Sequence, residues 1–90
     1  SQCLEIPTGF SPNGDGINDY WQIGLIELYP NAVIEIFNRW GKVVYKTDSG
    51  YNPPWDGTYK GKPLPVDSYY YFIDLKNGTK PIDGHVTLVK

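Results

Sequence analysis

The 90 residues predict an all-β antiparallel sandwich of about seven short strands, and three observations carry that prediction. Apolar residues alternate with period two, no helical period outlasts a single turn, and turn-forming residues punctuate the chain at intervals of roughly ten. The first candidate strand is CLEI, alternating at Leu4 and Ile6, and the second is WQIGLIELY, alternating at Trp21, Ile23 and Leu25. AVIEIF follows, with Ala32, Ile34 and Ile36 on one face and Val33, Glu35 and Phe37 on the other. KVVYK, 42–46, comes directly after NRWG, whose Asn38 and Gly41 suit a tight hairpin turn, so these two runs should pair.

Between Thr47 and Pro65 the alternation dissolves among prolines and glycines, which excludes a helix and allows at most a short edge strand near Thr58 to Lys60. DSYYYFIDLK is the strongest strand, with Tyr69, Tyr71, Ile73 and Leu75 facing one way and Tyr70, Phe72 and Asp74 the other. A turn at Asn77 to Thr79 leads to GHVTLVK, where Val86 and Leu88 oppose His85, Thr87 and Val89. In LPVDSYYY an apolar residue and a proline precede a tyrosine at the start of a strong strand. This pattern suits a tyrosine corner at Tyr69, which supports an immunoglobulin-like sandwich, and the alternative is that Tyr69 simply fills the core.

Residues 1–90 read as a single domain, and 1–5 as the remnant of an upstream linker. With no initiator Met, basic n-region or apolar h-region, the chain reads as a piece of a longer protein. A chain this short buries only about 60–65% of the surface its unfolded form exposes. Its three Trp, eight Tyr and three Phe therefore supply much of the core, each burying roughly 150–250 Å². No apolar run approaches the ~20 residues that a membrane-spanning helix needs.

Ten acidic residues against eight Lys and Arg give a net charge of −2 with the signs interspersed, which argues against nucleic-acid binding. Cys3 is the only cysteine, so neither an internal disulfide nor a cysteine zinc site can form. Asn13, Asp15, Asn18 and Asp19 place oxygen ligands within seven residues, and calcium is the metal such a loop would suit. The spacing is not that of an EF-hand, since the twelfth position from Asn13 is Gly24 rather than a bidentate Glu. The competing reading is a compact turn in which Gly14 and Gly16 supply positive φ and the Asn and Asp side chains cap the backbone.

His85 is the only histidine and has no matched nucleophile, which reads as a surface or strand-packing residue. No catalytic motif is present, and the chain reads as a non-enzyme. The loop aromatics Trp40, Tyr51, Trp55 and Tyr59 suit either a platform for sugar rings or a cover over the open end of a sandwich.

Four blocks in order, FSPNGDGINDYW, VIEIFNRWGKVVYK, YNPPWDGTYKGKPLPVDSYYYFI and GHVTLVK, resemble the gliding-motility-associated C-terminal domain. This is the type B sorting domain of proteins exported by the type IX secretion system of Bacteroidetes, and the likeness covers roughly Ile6 to Lys90. The resemblance implies a folded β-sandwich attached to an N-terminal cargo protein and recognised by outer-membrane components of the PorP/SprF type. It also implies export through the periplasm and outer membrane to the cell surface or medium. The chain departs from the family pattern at Asp67, where Gly is usual, although Asp tolerates left-handed backbone better than most residues.

Partner contacts are expected where unusual residues cluster outside the alternating pattern. These are the opening loop (Asn13, Gly14, Asp15, Gly16, Asn18, Asp19), the hairpin tip (Asn38, Arg39, Trp40, Gly41), the turn Trp55, Asp56 and Gly57, and the last strand (Val86, Leu88, Lys90). That last strand, if at a sheet edge, would also offer its backbone to a partner strand. The same residues could recur because the turns demand them. The alternative functions are a glycan-binding adhesive module, calcium-dependent or built on the aromatic platform, and a purely structural stalk cap.

Overall fold

The computed structural model describes residues 4–12, 19–51 and 53–89. It is all-β, with a five-stranded sheet and a two-stranded one. The strands are β1 (Gly9–Phe10), β2 (Val33–Phe37), β3 (Val43–Lys46), β4 (Thr58–Tyr59), β5 (Lys62–Pro63), β6 (Asp67–Asp74) and β7 (Ile82–Leu88). The large sheet runs β1-β7-β6-β2-β3, and β4 and β5 form a separate hairpin.

Alternation works as expected in the central strands. Ile34 and Ile36 of β2, Tyr69 and Ile73 of β6, and Val86 and Leu88 of β7 are all buried on one face. The register pairs Ile34 with Ile73, Ile36 with Tyr71, and Tyr69 with Val86, so these side chains form adjacent rows. On the other face lie Phe37, Tyr70, Phe72 and His85, with Tyr70 and His85 exposed and their rings edge to face. The tyrosine corner is present, as the Tyr69 hydroxyl donates to the Pro65 carbonyl at 2.7 Å.

Three expectations are corrected. The runs CLEI and WQIGLIELY do not become strands: Glu5 and Gly24 form one isolated bridge, and Ile26–Leu28 is a 3-10 turn entered through Leu25 at φ 69. Alternation in this segment reports burial, since Trp21 and Ile23 are inside and Gln22 is out, yet the Trp21 backbone pairs with a loop instead of a ladder. The sheet is also not wholly antiparallel, because β1 runs parallel to β7. Last, β7 is no edge: β6 flanks it on one side and β1 on the other, with bonds from Thr87 N–H to Thr8 O (2.8 Å) and Val89 N–H to Phe10 O (3.0 Å). Backbone augmentation at the last strand is thereby removed.

The second layer is mostly irregular chain held by aromatic residues. Trp21 and Trp55 are 0% and 1% exposed and pack against the inner face, Trp21 on Tyr71 and Trp55 on Tyr69. Irregular backbone lacks a ladder, so its polar groups need specific partners. Tyr51 provides two: its hydroxyl donates to Trp21 O at 2.6 Å and accepts from Trp55 N–H at 2.9 Å. Trp21 N–H in turn donates to Trp55 O at 2.9 Å, and the Trp21 indole donates to Pro7 O at 2.9 Å.

Replacing Tyr51 with Phe leaves a donor and an acceptor of this network without their phenol. The expected loss is roughly 1–3 kcal/mol of stability, read from the urea midpoint at unchanged m; a midpoint equal to that of the parent would contradict the role given to the hydroxyl.

The phenols also set the alkaline limit. Burial, with the Asp56 charge adding to it, pushes the Tyr45 hydroxyl up to about 12. Burial raises Tyr51 further, against a lowering bond from the Trp55 backbone, and raises Tyr69 and Tyr71 as well. An unfolded tyrosine ionises near 10, so above about pH 10 the unfolded chain binds fewer protons than the folded one and stability falls as pH rises. Below about pH 9 these groups are protonated in both states and contribute no slope. Urea unfolding across this range, with tyrosinate absorbance followed in parallel, should show the decline, and Tyr51→Phe should flatten it.

Candidate recognition surface

The β2–β3 hairpin is closed by Asn38, Arg39, Trp40 and Gly41. Asn38 O accepts from Gly41 N–H at 2.9 Å, and the Asn38 side-chain oxygen accepts from the N–H groups of Trp40 (3.0 Å) and Lys42 (2.9 Å). Gly41 takes φ 84, a left-handed conformation that follows the turn and returns the chain to β3. These bonds fix the tip and leave Trp40 pointing outward, 79% exposed. The Arg39 guanidinium lies 5.0 Å from the centre of the Trp40 ring. It also reaches Asp67 at 3.4 Å, an exposed pair worth about 0–1 kcal/mol.

Asp67 opens β6 in ordinary extended backbone, so no left-handed geometry is required there. Its other oxygen accepts from Ser68 N–H at 2.8 Å.

The β4–β5 hairpin lies beside this tip. Its turn residues Lys60 and Gly61 have φ 54 and 80, the signature of a two-residue primed turn. Lys42 Nζ, from the first hairpin, sits 4.9 Å from the centre of the half-buried Tyr59 ring, and Lys60 Nζ sits 5.4 Å from it. Lys62 stands directly opposite Tyr59 in the ladder. Sequence reasoning singled out the tip but not these lysines; the signal was the spacing of Tyr59, Lys60 and Lys62 around one turn, and only the fold shows that Lys42 joins them.

The other expected contact residues fall elsewhere. Of the opening loop, Asn13, Gly14, Asp15, Gly16 and Asn18 lie outside the described residues, as do Lys90 and Cys3. Asp19 lines a shallow depression with Pro12, Tyr20, Asp56 and Thr58. Trp55, Gly57, Val86 and Leu88 are buried, so the side chains of Trp55, Val86 and Leu88 build the core and the Gly57 backbone lies beneath the surface. Asp56 is exposed, and its carboxylate accepts from the Thr58 hydroxyl at 2.6 Å and from the Thr58 N–H at 3.1 Å. With Trp55 inside and the Tyr51 hydroxyl engaged, the four loop aromatics do not form one platform; Trp40 and Tyr59 are the two at the surface end. His85 is exposed on the outer sheet face, as expected. Also on that face is a depression lined by Phe37, Tyr70, Phe72 and Asp83 among others, which the sequence reading did not single out.

The surface thus defines an all-β contact domain with a preformed cationic and aromatic end. The family model of the CHU_C type IX secretion signal domain matches residues 4–88. The chain belongs to that family, and its function is that of a sorting signal directing a larger cargo protein through type IX secretion. No curated protein matches the chain.

Gly57 is fixed by packing as well as by its φ of 80, because a Cβ there would lie 2.8 Å from Leu88 Cδ1 and 3.0 Å from Pro12 Cγ. Gly57→Ala is expected to lower stability by roughly 1–3 kcal/mol through backbone strain and overpacking. Thermal unfolding tests this, and an unchanged melting temperature would count against a core role for the turn.

Proposed function

We propose that the secretion apparatus grips this folded domain at the β2–β3 hairpin tip, with Trp40 at the centre of the contact, and that the receiving component is an outer-membrane protein of the PorP/SprF type. The domain acts by contact and not by catalysis, and the cargo joined to it passes through the periplasm and outer membrane to the cell surface or medium.

One observation carries this reading. Trp21 and Trp55 are 0% and 1% exposed, whereas Trp40 is 79% exposed on a turn whose hydrogen bonds hold it there. Trp and Arg dominate the binding energy of protein interfaces, and an ordered turn loses little conformational entropy when it docks. The family membership supplies the context in which such a tip would be read.

A reporter fused to the domain, expressed in a host with the secretion apparatus, tests the reading. Trp40→Ala is expected to cut the exported fraction roughly tenfold or more, with the reporter retained in the periplasm. Its stability, read from the urea midpoint at unchanged m, should stay within about 0.5 kcal/mol of the parent, as befits a surface substitution. Undiminished export of Trp40→Ala would remove the tip from recognition.

A further inference from the structure

We infer that the end of the molecule formed by the β2–β3 tip and the β4–β5 hairpin is a preorganised docking surface for a carboxylate-rich segment of a protein partner. The inference rests on the reading of the tip as a contact site and adds the chemistry of what is contacted. Although the chain carries a net charge of −2, half of its eight cationic side chains gather at this end, Arg39 and Lys42 at and beside the β2–β3 tip and Lys60 and Lys62 in the β4–β5 hairpin, while Lys46 sits at the far end of β3. Among the described residues the ion pairs are Arg39–Asp67, Lys46–Glu35 and Lys76–Asp74, so Lys42, Lys60 and Lys62 form no ion pair with a described carboxylate. Uncompensated cations gathered at one end of an acidic domain create a local field of the opposite sign to the net charge.

The arrangement favours a few convergent carboxylates over a plane of lipid headgroups. Lys42 and Lys60 arrive from different hairpins and are drawn over the same Tyr59 ring, with Lys62 across the ladder from it. Cation–π contact holds the ammonium groups in place without neutralising them. Both turns are closed by their own backbone geometry, Asn38 capping one and the left-handed pair Lys60 and Gly61 closing the other. Binding therefore requires little reordering of the protein. Insertion into a bilayer interface calls for a broad apolar face, and among the described residues the exposed apolar side chains on and beside these hairpins are Trp40 with the small Val43 and Val66, while Tyr59 is half-buried beneath the lysines. Beside such cations, an exposed Trp stacked by Arg39 is typical protein-interface chemistry.

The test titrates the isotope-labelled domain with a hexaglutamate peptide and follows amide and indole resonances. The expected shifts are confined to the Trp40 indole N–H and to the amides of 39–42 and 58–62. Affinity should fall roughly tenfold in the double variant Lys42→Ala/Lys60→Ala and should weaken further as salt rises. Shifts centred elsewhere, or spread evenly over the surface, would overturn the proposal. So would silence towards hexaglutamate combined with binding to vesicles containing phosphatidylglycerol, which would assign the end to a lipid surface. If Trp40→Ala abolishes export while hexaglutamate leaves the hairpins unperturbed, the tip remains the contact and the acidic partner is wrong; binding without an export defect has the opposite meaning.

Discussion

A single phenol holds the irregular half of this domain in register with its sheet. Tyr51 gives its proton to the Trp21 carbonyl and receives that of the Trp55 amide, while the Trp21 amide returns to the Trp55 carbonyl. Two segments far apart in sequence thereby satisfy each other's backbone where no ladder exists. Both indoles can then be buried against the sheet without leaving orphaned polar groups beneath them. Among the described residues no buried side-chain polar atom lacks a partner. In so small a domain the covering layer achieves with three aromatic residues what a larger protein achieves with a second full sheet.

That frame explains how a surface can be both exposed and fixed. β2 is anchored by Ile34 and Ile36, each fully buried, and the tip follows directly from its last residue, Phe37. A register irregularity between Ile36 and Phe37 leaves Val44 as an extra residue on β3, opposite no partner. Such a bulge bends the edge strand and makes it a poor template for stray pairing. At the other edge β1 is only two residues long. This sorting domain thus offers side chains on its turns and, among the described residues, little free edge backbone.

The sequence was most legible where one face of a strand meets the core. The alternation in β2, β6 and β7, the hairpin between β2 and β3, the tyrosine corner at Tyr69 and the exposed position of His85 all follow from local pattern. It misled at residues 21–29, because alternation records which side chains are inside and says nothing about what the backbone pairs with. Trp55, among prolines and glycines, could be read either as part of a surface platform or as a cover over the sandwich, and its burial depends on Tyr69 and Phe10, outside its own loop. The tip residues were visible from their turn chemistry. The lysine cluster was not, since Lys42 meets Tyr59 only through the folding of two hairpins against each other.

The parallel pairing of β1 with β7 has a mechanical consequence. β1 and β7, the first and last strands of the large sheet in chain order, lie side by side pointing the same way. Tension applied between the N-terminal side of β1 and the C-terminal side of β7 acts along the strands, so the bonds from Thr87 and Val89 to Thr8 and Phe10 share the load in shear instead of unzipping one after another. A pull applied to those two sides thereby meets a clasp at the strands that bear it.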